Sequence, residues 1–248
     1  MIPRKIHFCW FSEEPYPETV KTCIDSWKRF LPRYELILWD SKRAKAAHIP
    51  WIDKALEEKR WAFAADAVRL YAIYTEGGIY LDSDVEVLKN FDPLLERDYF
   101  FGYENGSDRI EAAVFGAKAG FPAIRDALHF YQSHPFDYNE HQVDFLVIPH
   151  ILRESFRNWN LEIFDESIFS PKSFTDGSIR TTDSTFCIHH FSSSWRPKLL
   201  QKSILRRQWI YRHFPRPASS LLAYALSLWT NLRILGFRGT CQKIFKKF

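Results

Sequence analysis

The sequence has few cysteines, no long apolar run and no acidic side chain in its last part. Its 248 residues include four cysteines, which show neither a CxxC pattern nor the Cys/His spacing of a zinc site. They argue against a disulfide-stapled scaffold and indicate a reducing compartment. No stretch offers about eighteen uninterrupted apolar residues, so we expect no membrane-spanning helix. Met1 to Lys5 leads directly into a strand-like run, so we expect no secretory leader.

Acidic side chains are confined to the first part of the chain. From Arg196 to Phe248 there are twelve lysines and arginines and no aspartate or glutamate, whereas residues 1–195 hold the other 22 basic side chains and all 30 acidic ones. A mildly acidic body therefore carries a strongly basic tail, which predicts that the tail faces an anionic surface. We expect one catalytic domain over 1–195 and a basic helical tail over 196–248.

The hydrophobic pattern predicts an α/β fold for the body. Strands at Lys5–Phe11 and Glu35–Trp39 flank a helix at Glu18–Phe30, and this β-α-β opening favours a parallel sheet. The clearest helix is Trp61–Glu76, which ends at two glycines. Further strands are predicted at Tyr99–Tyr103, Ala113–Ala117, Glu162–Phe169 and Phe186–Phe191, and further helices at Phe121–Ser133 and His141–Phe156.

Two carboxylates one residue apart follow a short apolar strand directly after the two glycines. Asp82 and Asp84 stand at the carboxyl end of the run Ile79 to Leu81, the edge at which open α/β sheets bind ligands. Side chains at i and i+2 of an extended segment share a face, so both carboxylates can reach one cation, with Tyr80 beside them. Oxygen ligands suit Mg²⁺ or Mn²⁺. An isolated Asp-X-Asp is more often a solvated turn, and here the strand and glycines favour a metal site.

The helix before this strand carries a second charged pair, and the first strand ends in a tryptophan. Asp66 and Arg69 lie three residues apart and share a helix face. They form either a surface ion pair or one side of the metal site, where Arg69 would bind phosphate. Trp10 is either a core residue or a platform on which a nucleobase stacks.

A third group follows the last predicted strand. His190, Ser193 and Trp195 belong either to a capped turn with one buried aromatic or to the metal site. In the second reading His190 is a further metal ligand, and Ser193 and Trp195 donate hydrogen bonds to phosphate oxygens.

Together these motifs resemble glycosyltransferase family 32, which includes bacterial capsular and O-antigen sugar transferases and yeast initiating mannosyltransferases. They are also similar to motifs of the clostridial glucosylating toxins. The resemblance covers most of residues 2–195, and the tail lies outside it. The four motifs that carry it are Ile6-His7-Phe8-Cys9-Trp10, Asp66-Ala67-Val68-Arg69, Gly77 to Asp84, and His190 with Ser193 and Trp195.

The resemblance implies a GT-A fold, a single Rossmann-like nucleotide-sugar-binding domain with a mixed, mostly parallel sheet. It implies donor-binding roles for Trp10, Asp66, Arg69, Tyr80, Asp82, Ser83, Glu111, Ser193 and Trp195. It implies catalytic roles for Asp82, Asp84, Arg69 and Trp195, and metal ligation by Asp82, Asp84 and His190. Two positions depart from the pattern: the toxins have glutamate where His190 stands, and relatives often place an asparagine against the sugar where Glu111 stands.

The expected reaction is transfer of a hexose from a nucleotide-sugar to a glycan, assisted by Mn²⁺ or Mg²⁺. Negative charge develops on the leaving diphosphate, and a bound cation with preorganised donors stabilises it. The resemblance implies retention of configuration, and no residue stands out as a covalent nucleophile, so we expect same-face displacement. The surroundings of Trp10 resemble those of UDP-sugar users, and GDP-mannose is the alternative donor.

The residue pattern of the tail predicts the location of the enzyme in the cell. Residues 220–237 alternate leucines and a tryptophan with flanking arginines, the pattern of a basic helix lying in a membrane interface. The alternative is that the apolar face of this helix packs on the catalytic domain. With membrane binding, the acceptor becomes a lipid-linked oligosaccharide of surface polysaccharide synthesis. The enzyme would then lie on the inner, cytoplasmic face of a bacterial plasma membrane, and we expect no nucleic-acid partner.

Two other classes of function compete with a transferase. A phosphatase or phosphotransferase would place Asp-X-Asp on its first strand, where this chain has His7 and Trp10. A non-catalytic binder of anionic polymers would explain the tail but not Asp82 and Asp84 in an acidic body. Metal-dependent hydrolysis of a nucleotide-sugar would separate the transferase from both.

Overall fold

The computed structural model describes residues 1–138, 146–192 and 198–245, and the side chains of all of these except 237, 238 and 241–245. The strands in these ranges are β1 Lys5–Cys9, β2 Glu35–Trp39, β3 Gly78–Leu81, β4 Val85–Val87, β5 Tyr99–Phe100, β6 Val114–Ala117 and β7 Cys187–His189. Five of them form a sheet in the order β2-β1-β3-β6-β5. In it β1, β2 and β3 run parallel, and β6 runs antiparallel to both neighbours. The predicted mixed α/β sheet is thus confirmed.

Helices cover both faces of this sheet. Their bounds are α1 Glu18–Phe30, α2 Ser41–Lys45, α3 Pro50–Glu57, α4 Trp61–Glu76, α5 Pro122–Ser133, α6 Ile148–Phe156, α7 Glu166–Phe169, α8 Lys198–His213 and α9 Ala218–Phe245, with a 3-10 turn at Asp92–Leu94. Two hydrophobic clusters result, one with α1 and the other with α3 to α6. Successive side chains of a strand point to opposite faces, so Ile79 and Leu81 pack in the first cluster and Tyr80 in the second.

The predicted bounds of α1, β2 and α4 agree with the structure, and one predicted strand is wrong. Residues 162–169 form an isolated bridge at Phe164 followed by α7. The side chain of Asp165 accepts a hydrogen bond from the backbone N–H of Ser167, which caps the short helix and ends the extended segment. A local capping bond therefore overrides the apolar pattern. The predicted helix at 141–156 is observed from Ile148 onwards, and residues 139–145 lie outside the described ranges.

The end of α4 requires two glycines because the chain turns tightly between β1 and the end of β6. Gly77 has φ 64°, and a Cβ there would lie 2.7 Å from the backbone nitrogen of Ala119; Gly78 has φ 114°, and a Cβ there would lie 2.9 Å from the carbonyl oxygen of Lys5 in β1. The Gly77 carbonyl accepts a hydrogen bond from Nε2 of buried His7, at 2.9 Å. Because the indole of Trp39 only donates, its 3.1 Å bond to Nδ1 assigns the proton of His7 to Nε2. Burial also lowers the pKa of His7, so this histidine is a neutral structural link.

A small second sheet brings the far end of the body back to the carboxyl edge of β3. Strands β4 and β7 are antiparallel, with Val85 opposite His189. The backbone N–H of His190 then donates to the carbonyl of Asp84 at 3.1 Å. This pairing places the segment that follows β7 beside the Asp-X-Asp turn.

The last two helices, α8 and α9, pack against each other as a hairpin. Helix α9 is interrupted at Gly236, which has φ 68° and ψ −177°. Among the described residues, none of the helices combines the length and apolarity needed to cross a membrane. The boundary near residue 195 between body and tail stays a prediction.

Candidate active site

The Asp-X-Asp turn lies between the end of β3 and the start of β4. Asp82 is held in place by its backbone N–H, which donates to the carbonyl of Ala113 at 2.9 Å, and the turn closes through a 3.0 Å bond from Val85 N–H to the Asp82 carbonyl. Ser83 is partly exposed at the middle of the turn. Asp82 and Asp84 therefore stand at the carboxyl edge of the sheet, as the strand pattern predicts, and each belongs to a different group of side chains.

Asp82 belongs to a group that we call the arginine cluster, made of Asp66, Arg69, Tyr80 and Asp82. The Arg69 guanidinium lies 3.3 Å from Asp82 Oδ2 and 2.9 Å from Asp66 Oδ1. It also donates to the carbonyl of Ala112 at 2.7 Å and lies over the ring of Tyr80. The Tyr80 hydroxyl donates to Asp82 Oδ1 at 2.8 Å. The predicted helix pair is thus buried at the site and is not a surface ion pair.

The arginine cluster contains one cation between two carboxylates. Arg69 is only 5% exposed and Asp66 only 6%, so water screens neither charge. Burial raises the pKa of Asp66 to about 7, and the neighbouring charge of Asp82 adds to this, while Arg69 and the Ile148 N–H oppose it. The close contact with Arg69 alone would lower that pKa, but burial outweighs it because the guanidinium is shared with Asp82.

Asp84 belongs to a second group, the histidine cluster, made of Asp84, Glu111, His189 and Ser192. The backbone N–H and the hydroxyl of Ser192 donate to Asp84 Oδ2 at 2.8 and 2.7 Å. The His189 ring lies between two carboxylates, with Nε2 3.6 Å from Asp84 Oδ1 and Nδ1 3.1 Å from Glu111 Oε2. Phe191, with φ 52°, turns the chain between His189 and Ser192. A positive φ at a bulky residue is strained, a feature common at functional sites.

The two carboxylates keep His189 protonated when no metal is bound. Burial lowers its pKa, but Glu111 and Asp84 outweigh burial and raise that pKa to about 9. In return, His189 holds the pKa values of Glu111 and Asp84 below their usual range, although burial opposes this. A proton on His189 therefore occupies the place that a divalent cation would compete for.

Asp82, Asp84 and His189 have the donor chemistry of a metal site. One ligand atom from each of the three lies within 4.8 Å of the others. Two carboxylates suit Mg²⁺ or Mn²⁺, and an imidazole nitrogen favours the transition metal Mn²⁺ over Mg²⁺. A metal-bound histidine usually donates its other ring N–H to a carboxylate. Glu111 stands in that position, so the described residues fit a divalent ion.

The structure brings His189, rather than the predicted His190, to the two aspartates. The ring of His190 lies instead against Glu86, with Nε2 2.9 Å from Oε2. Adjacent side chains at the end of β7 point to opposite sides, so the two rings contact different carboxylates: His189 those of Asp84 and Glu111, and His190 that of Glu86. The predicted sugar-binding residue Glu111 is 2% exposed and is engaged by His189 and the N–H of Ala113.

Three other predicted residues have separate outcomes. Trp10 lies just after β1, where its indole donates to the carbonyl of Glu14 at 3.2 Å and its ring packs edge-on against Tyr16. It stays partly exposed, and its stacking role remains a prediction. Ser193 and Trp195 lie outside the described residues.

Two residues of the site, His189 and Ser192, were not predicted from the sequence. The contact between Glu111 and His189 was not predicted either. Their contacts join segments about eighty to a hundred residues apart: Glu111 bonds a histidine 78 residues away, and Ser192 bonds a carboxylate 108 residues away. The one local signal was the pair of adjacent histidines at 189–190. The sequence does not indicate which of the two rings faces the aspartates, because this depends on the tertiary structure.

Sequence comparison connects this geometry with known proteins. Residues 17–101, which include both aspartates, match the family described as "Glycosyltransferase sugar-binding region containing DXD motif". The chain is 30% identical over 145 residues to inositol phosphoceramide mannosyltransferase 3 of Schizosaccharomyces pombe, covering 56% of this chain and 39% of that protein. It is 30% identical over 102 residues to mannosyl phosphorylinositol ceramide synthase SUR1 of Saccharomyces cerevisiae, covering 38% and 26%. The chain spans less than half the length of these curated relatives.

The fold is similar to two solved toxin domains. One is the PaToxG glycosyltransferase, with a TM-score of 0.50 and 19% identity over 62% of this chain and 69% of that one. The other is the glycosyltransferase domain from the YGT toxin, with a TM-score of 0.50 and 10% identity over 94% and 90%. These two structural matches confirm the predicted GT-A fold, and the family match over residues 17–101 confirms the resemblance to DXD-containing glycosyltransferases.

Proposed function

We propose that this chain is a metal-dependent glycosyltransferase that moves a hexose from a nucleotide-sugar to a glycan or lipid-borne acceptor. The observation that carries this proposal is the meeting of Asp82, Asp84 and His189 at the carboxyl edge of a GT-A sheet. That edge is where α/β sheets bind nucleotides. A phosphatase that uses Asp-X-Asp as its nucleophile is disfavoured because Asp82 is already engaged by Arg69 and Tyr80.

The metal ligands in this proposal are Asp82, Asp84 and His189. A divalent cation held there would neutralise charge on a diphosphate. The protein contributes the arrangement of the ligands: Ser192 orients Asp84, Arg69 and Tyr80 orient Asp82, and Glu111 orients His189. Because these partners are in place beforehand, little reorganisation is needed when charge develops.

The arginine cluster is the proposed wall for the sugar and its phosphate. The family pattern assigns sugar or ribose hydroxyls to Asp66 and the sugar-phosphate region to Arg69. Trp10 remains the proposed platform for the base, and Ser193 and Trp195 remain proposed donors to the leaving diphosphate. Asp66 suits contact with a hydroxyl because its raised pKa lets its carboxyl either accept or donate near neutral pH.

The proposed transfer proceeds with retention and without a covalent intermediate. The bond from the anomeric carbon to the diphosphate oxygen breaks, a bond to the acceptor oxygen forms on the same face, and the acceptor proton passes to the leaving phosphate. The four carboxylates of the two clusters are each engaged by a cationic side chain. This engagement supports the absence of an enzymatic nucleophile among them. Trapping a glycosyl adduct on any of them would contradict this mechanism.

Mannose from GDP-mannose is now the stronger candidate for the transferred sugar. The surroundings of Trp10 favoured a UDP-hexose, whereas one curated relative is named as a mannosyltransferase and another as the synthase of a mannosyl lipid. Those relatives are also named for acceptors built on inositol phosphoceramide, which supports a lipid-borne acceptor here. Donor and acceptor both remain parts of the proposal.

The function is tested by measuring nucleotide-sugar hydrolysis without an acceptor. The chain is incubated with Mn²⁺ and, in separate reactions, GDP-mannose, UDP-glucose and UDP-galactose, and the released nucleoside diphosphate is quantified. We expect one donor to be hydrolysed, EDTA to stop the reaction, and NMR of the first-formed sugar to show the donor's anomeric configuration. Failure of every donor with Mn²⁺ and Mg²⁺, or equal rates after Asp82→Asn with Asp84→Asn, would overturn the proposal.

A further inference from the structure

The hairpin formed by α8 and α9 carries most of the exposed apolar side chains of the described residues. Thirteen large hydrophobic residues are exposed in those ranges, and eight of them lie between residues 205 and 232. These eight are Leu205, Trp209, Phe214, Leu221, Leu222, Tyr224, Trp229 and Leu232. Soluble surfaces carry scattered apolar residues, but a concentration of this kind marks an interaction site.

The exposed apolar residues of α9 lie on the face opposite to its packed face. Ala223 and Thr230 are buried against α8, where the Thr230 hydroxyl bonds Ser203 at 2.8 Å. Leu221, Trp229 and Leu232 follow a spacing of eight and then three residues, which places them on one side of the helix. Helix α9 therefore uses one face for α8 and leaves an apolar face exposed.

Helix α8 adds a second exposed stripe that mixes apolar and basic side chains. Leu205 and Trp209 lie one turn apart, and Lys202 and Arg206 are exposed on the same side. Helix α8 attaches to the body through the side chains of Gln208 and Arg212, which donate to the carbonyls of Phe174 and Asp176. The stripe of Lys202, Leu205, Arg206 and Trp209 makes neither of these bonds.

The charge of the hairpin selects the kind of partner. Residues 196–248 contain twelve basic and no acidic side chains, so the surface can complement only an anionic partner. Arg233 lies with its guanidinium 5.4 Å from the ring centre of Trp229, so a cation sits directly beside an exposed indole. Tryptophan and leucine flanked by arginine and lysine are typical of helices that lie in the headgroup region of a bilayer.

We propose that the α8–α9 hairpin is a docking surface for an anionic lipid bilayer. The exposed apolar side chains of both helices enter the headgroup region, and Lys202, Arg206 and Arg233 contact lipid phosphates. Docking would hold the chain on the membrane without a spanning helix, in agreement with the peripheral location expected from the sequence. The inference does not depend on the proposed transfer reaction, because it uses residues outside both clusters of the active site.

Vesicle flotation with the whole chain tests the docking surface. Vesicles of equal parts phosphatidylcholine and phosphatidylglycerol are compared with vesicles of phosphatidylcholine alone, at low and at high NaCl. We expect binding to the anionic vesicles at low salt, weaker binding at high salt, and little binding to neutral vesicles. Equal binding to both compositions, or none to either, would overturn the proposal.

A matched pair of variants localises the contact. Leu221→Ser with Trp229→Ser, called the stripe variant, removes two exposed side chains from the apolar face of α9. Trp61→Ser is the control, because Trp61 in the body is 42% exposed and Trp229 in the hairpin is 43% exposed. The stripe variant should partition at least about tenfold more weakly, and the control should behave as the parent. Retained binding by the stripe variant, with unchanged circular dichroism in both, would contradict the assignment.

A second copy of the chain is the competing occupant of the same stripe. Size-exclusion chromatography distinguishes it from a bilayer. A parent dimer that the stripe variant converts to a monomer would overturn the bilayer assignment. A monomer in both cases, together with parent-only flotation, would support it. Lys202→Ser with Arg206→Ser should weaken binding to the anionic vesicles and leave the weak binding to neutral vesicles unchanged. This difference distinguishes the contribution of the basic side chains from that of the apolar ones.

Discussion

The arginine cluster and the histidine cluster each place a cationic side chain beside one carboxylate of the Asp-X-Asp turn, but the two cations differ in how readily they lose their charge. Around Asp82 the cation is a buried guanidinium, which keeps its charge at any pH of interest. Around Asp84 the cation is a protonated imidazole, which can give up its proton. The arginine cluster therefore has a permanent cation, whereas we propose that the histidine cluster is an exchangeable site where a metal ion replaces the proton of His189.

The largest expected effect comes from removing the permanent cation. Arg69→Gln leaves Asp66 and Asp82 without their shared partner in a buried site, and breaking such a pair costs about 3–5 kcal/mol. Urea unfolding should show this loss in the free energy of unfolding. The control is Arg97→Gln, which removes an exposed pair with Glu162 and should change stability by about 1 kcal/mol or less. Equal losses in both variants would mean that the arginine cluster has no special structural role.

Removing the charge at the exchangeable site should affect activity more than folding. Asp84→Asn is expected to lower donor hydrolysis by a factor on the order of 10²–10³, because one preorganised ligand is lost. The assay is Mn²⁺-dependent release of nucleoside diphosphate. Asp98→Asn changes an exposed aspartate that pairs with Lys118 and should leave the rate unchanged. Full activity of the Asp84 variant would remove it from the metal site.

The two carboxylate–histidine pairs allow a finer comparison. Glu111→Gln weakens the partner of His189 and should lower Mn²⁺ affinity by about 10–100-fold. Glu86→Gln weakens the corresponding partner of His190 and should leave that affinity unchanged. Electron paramagnetic resonance of free Mn²⁺ during a titration measures both. The reverse order of effects would favour His190 as the ligand.

The most gradual expected effect is a pH dependence that originates in the arginine cluster. The pKa of Asp66 in the folded state, about 7, lies above the ordinary aspartate value of 3.8, so between these values the folded state binds more protons than the unfolded state. Stability from this group is complete below about 4 and is lost as pH rises to 7, by at most about 1.4 kcal/mol per pH unit. Urea unfolding in EDTA from pH 4.5 to 7.5 should show a shallower slope for Asp66→Asn than for the parent. An identical slope would show that Asp66 is ionised throughout.

Local signals predicted the helix α4, the strand β3 and the carboxylate pair. The apolar run of α4, its two terminal glycines and the short strand lie within one continuous stretch, so capping and periodicity suffice to identify them. The same signals gave the wrong result at residues 162–169, where the Asp165 cap ended the extended segment.

The completion of the site depends on a distant pairing that no local signal carries. The pairing of β7 with β4, in which Val85 lies opposite His189, brings both histidines to the turn that carries Asp84. Asp84 itself lies in the turn before β4, so the conformation of this turn decides which ring its carboxylate contacts. The contact between Glu111 and His189 likewise joins segments that are distant in the sequence.

Electron spin echo envelope modulation of Mn²⁺ bound to the chain tests the central claim directly, because it detects nitrogen coordinated to the ion. The account predicts an imidazole nitrogen signal in the parent and in His190→Gln, and its loss in His189→Gln. A signal that disappears in His190→Gln and persists in His189→Gln would contradict the assignment of the exchangeable site to His189.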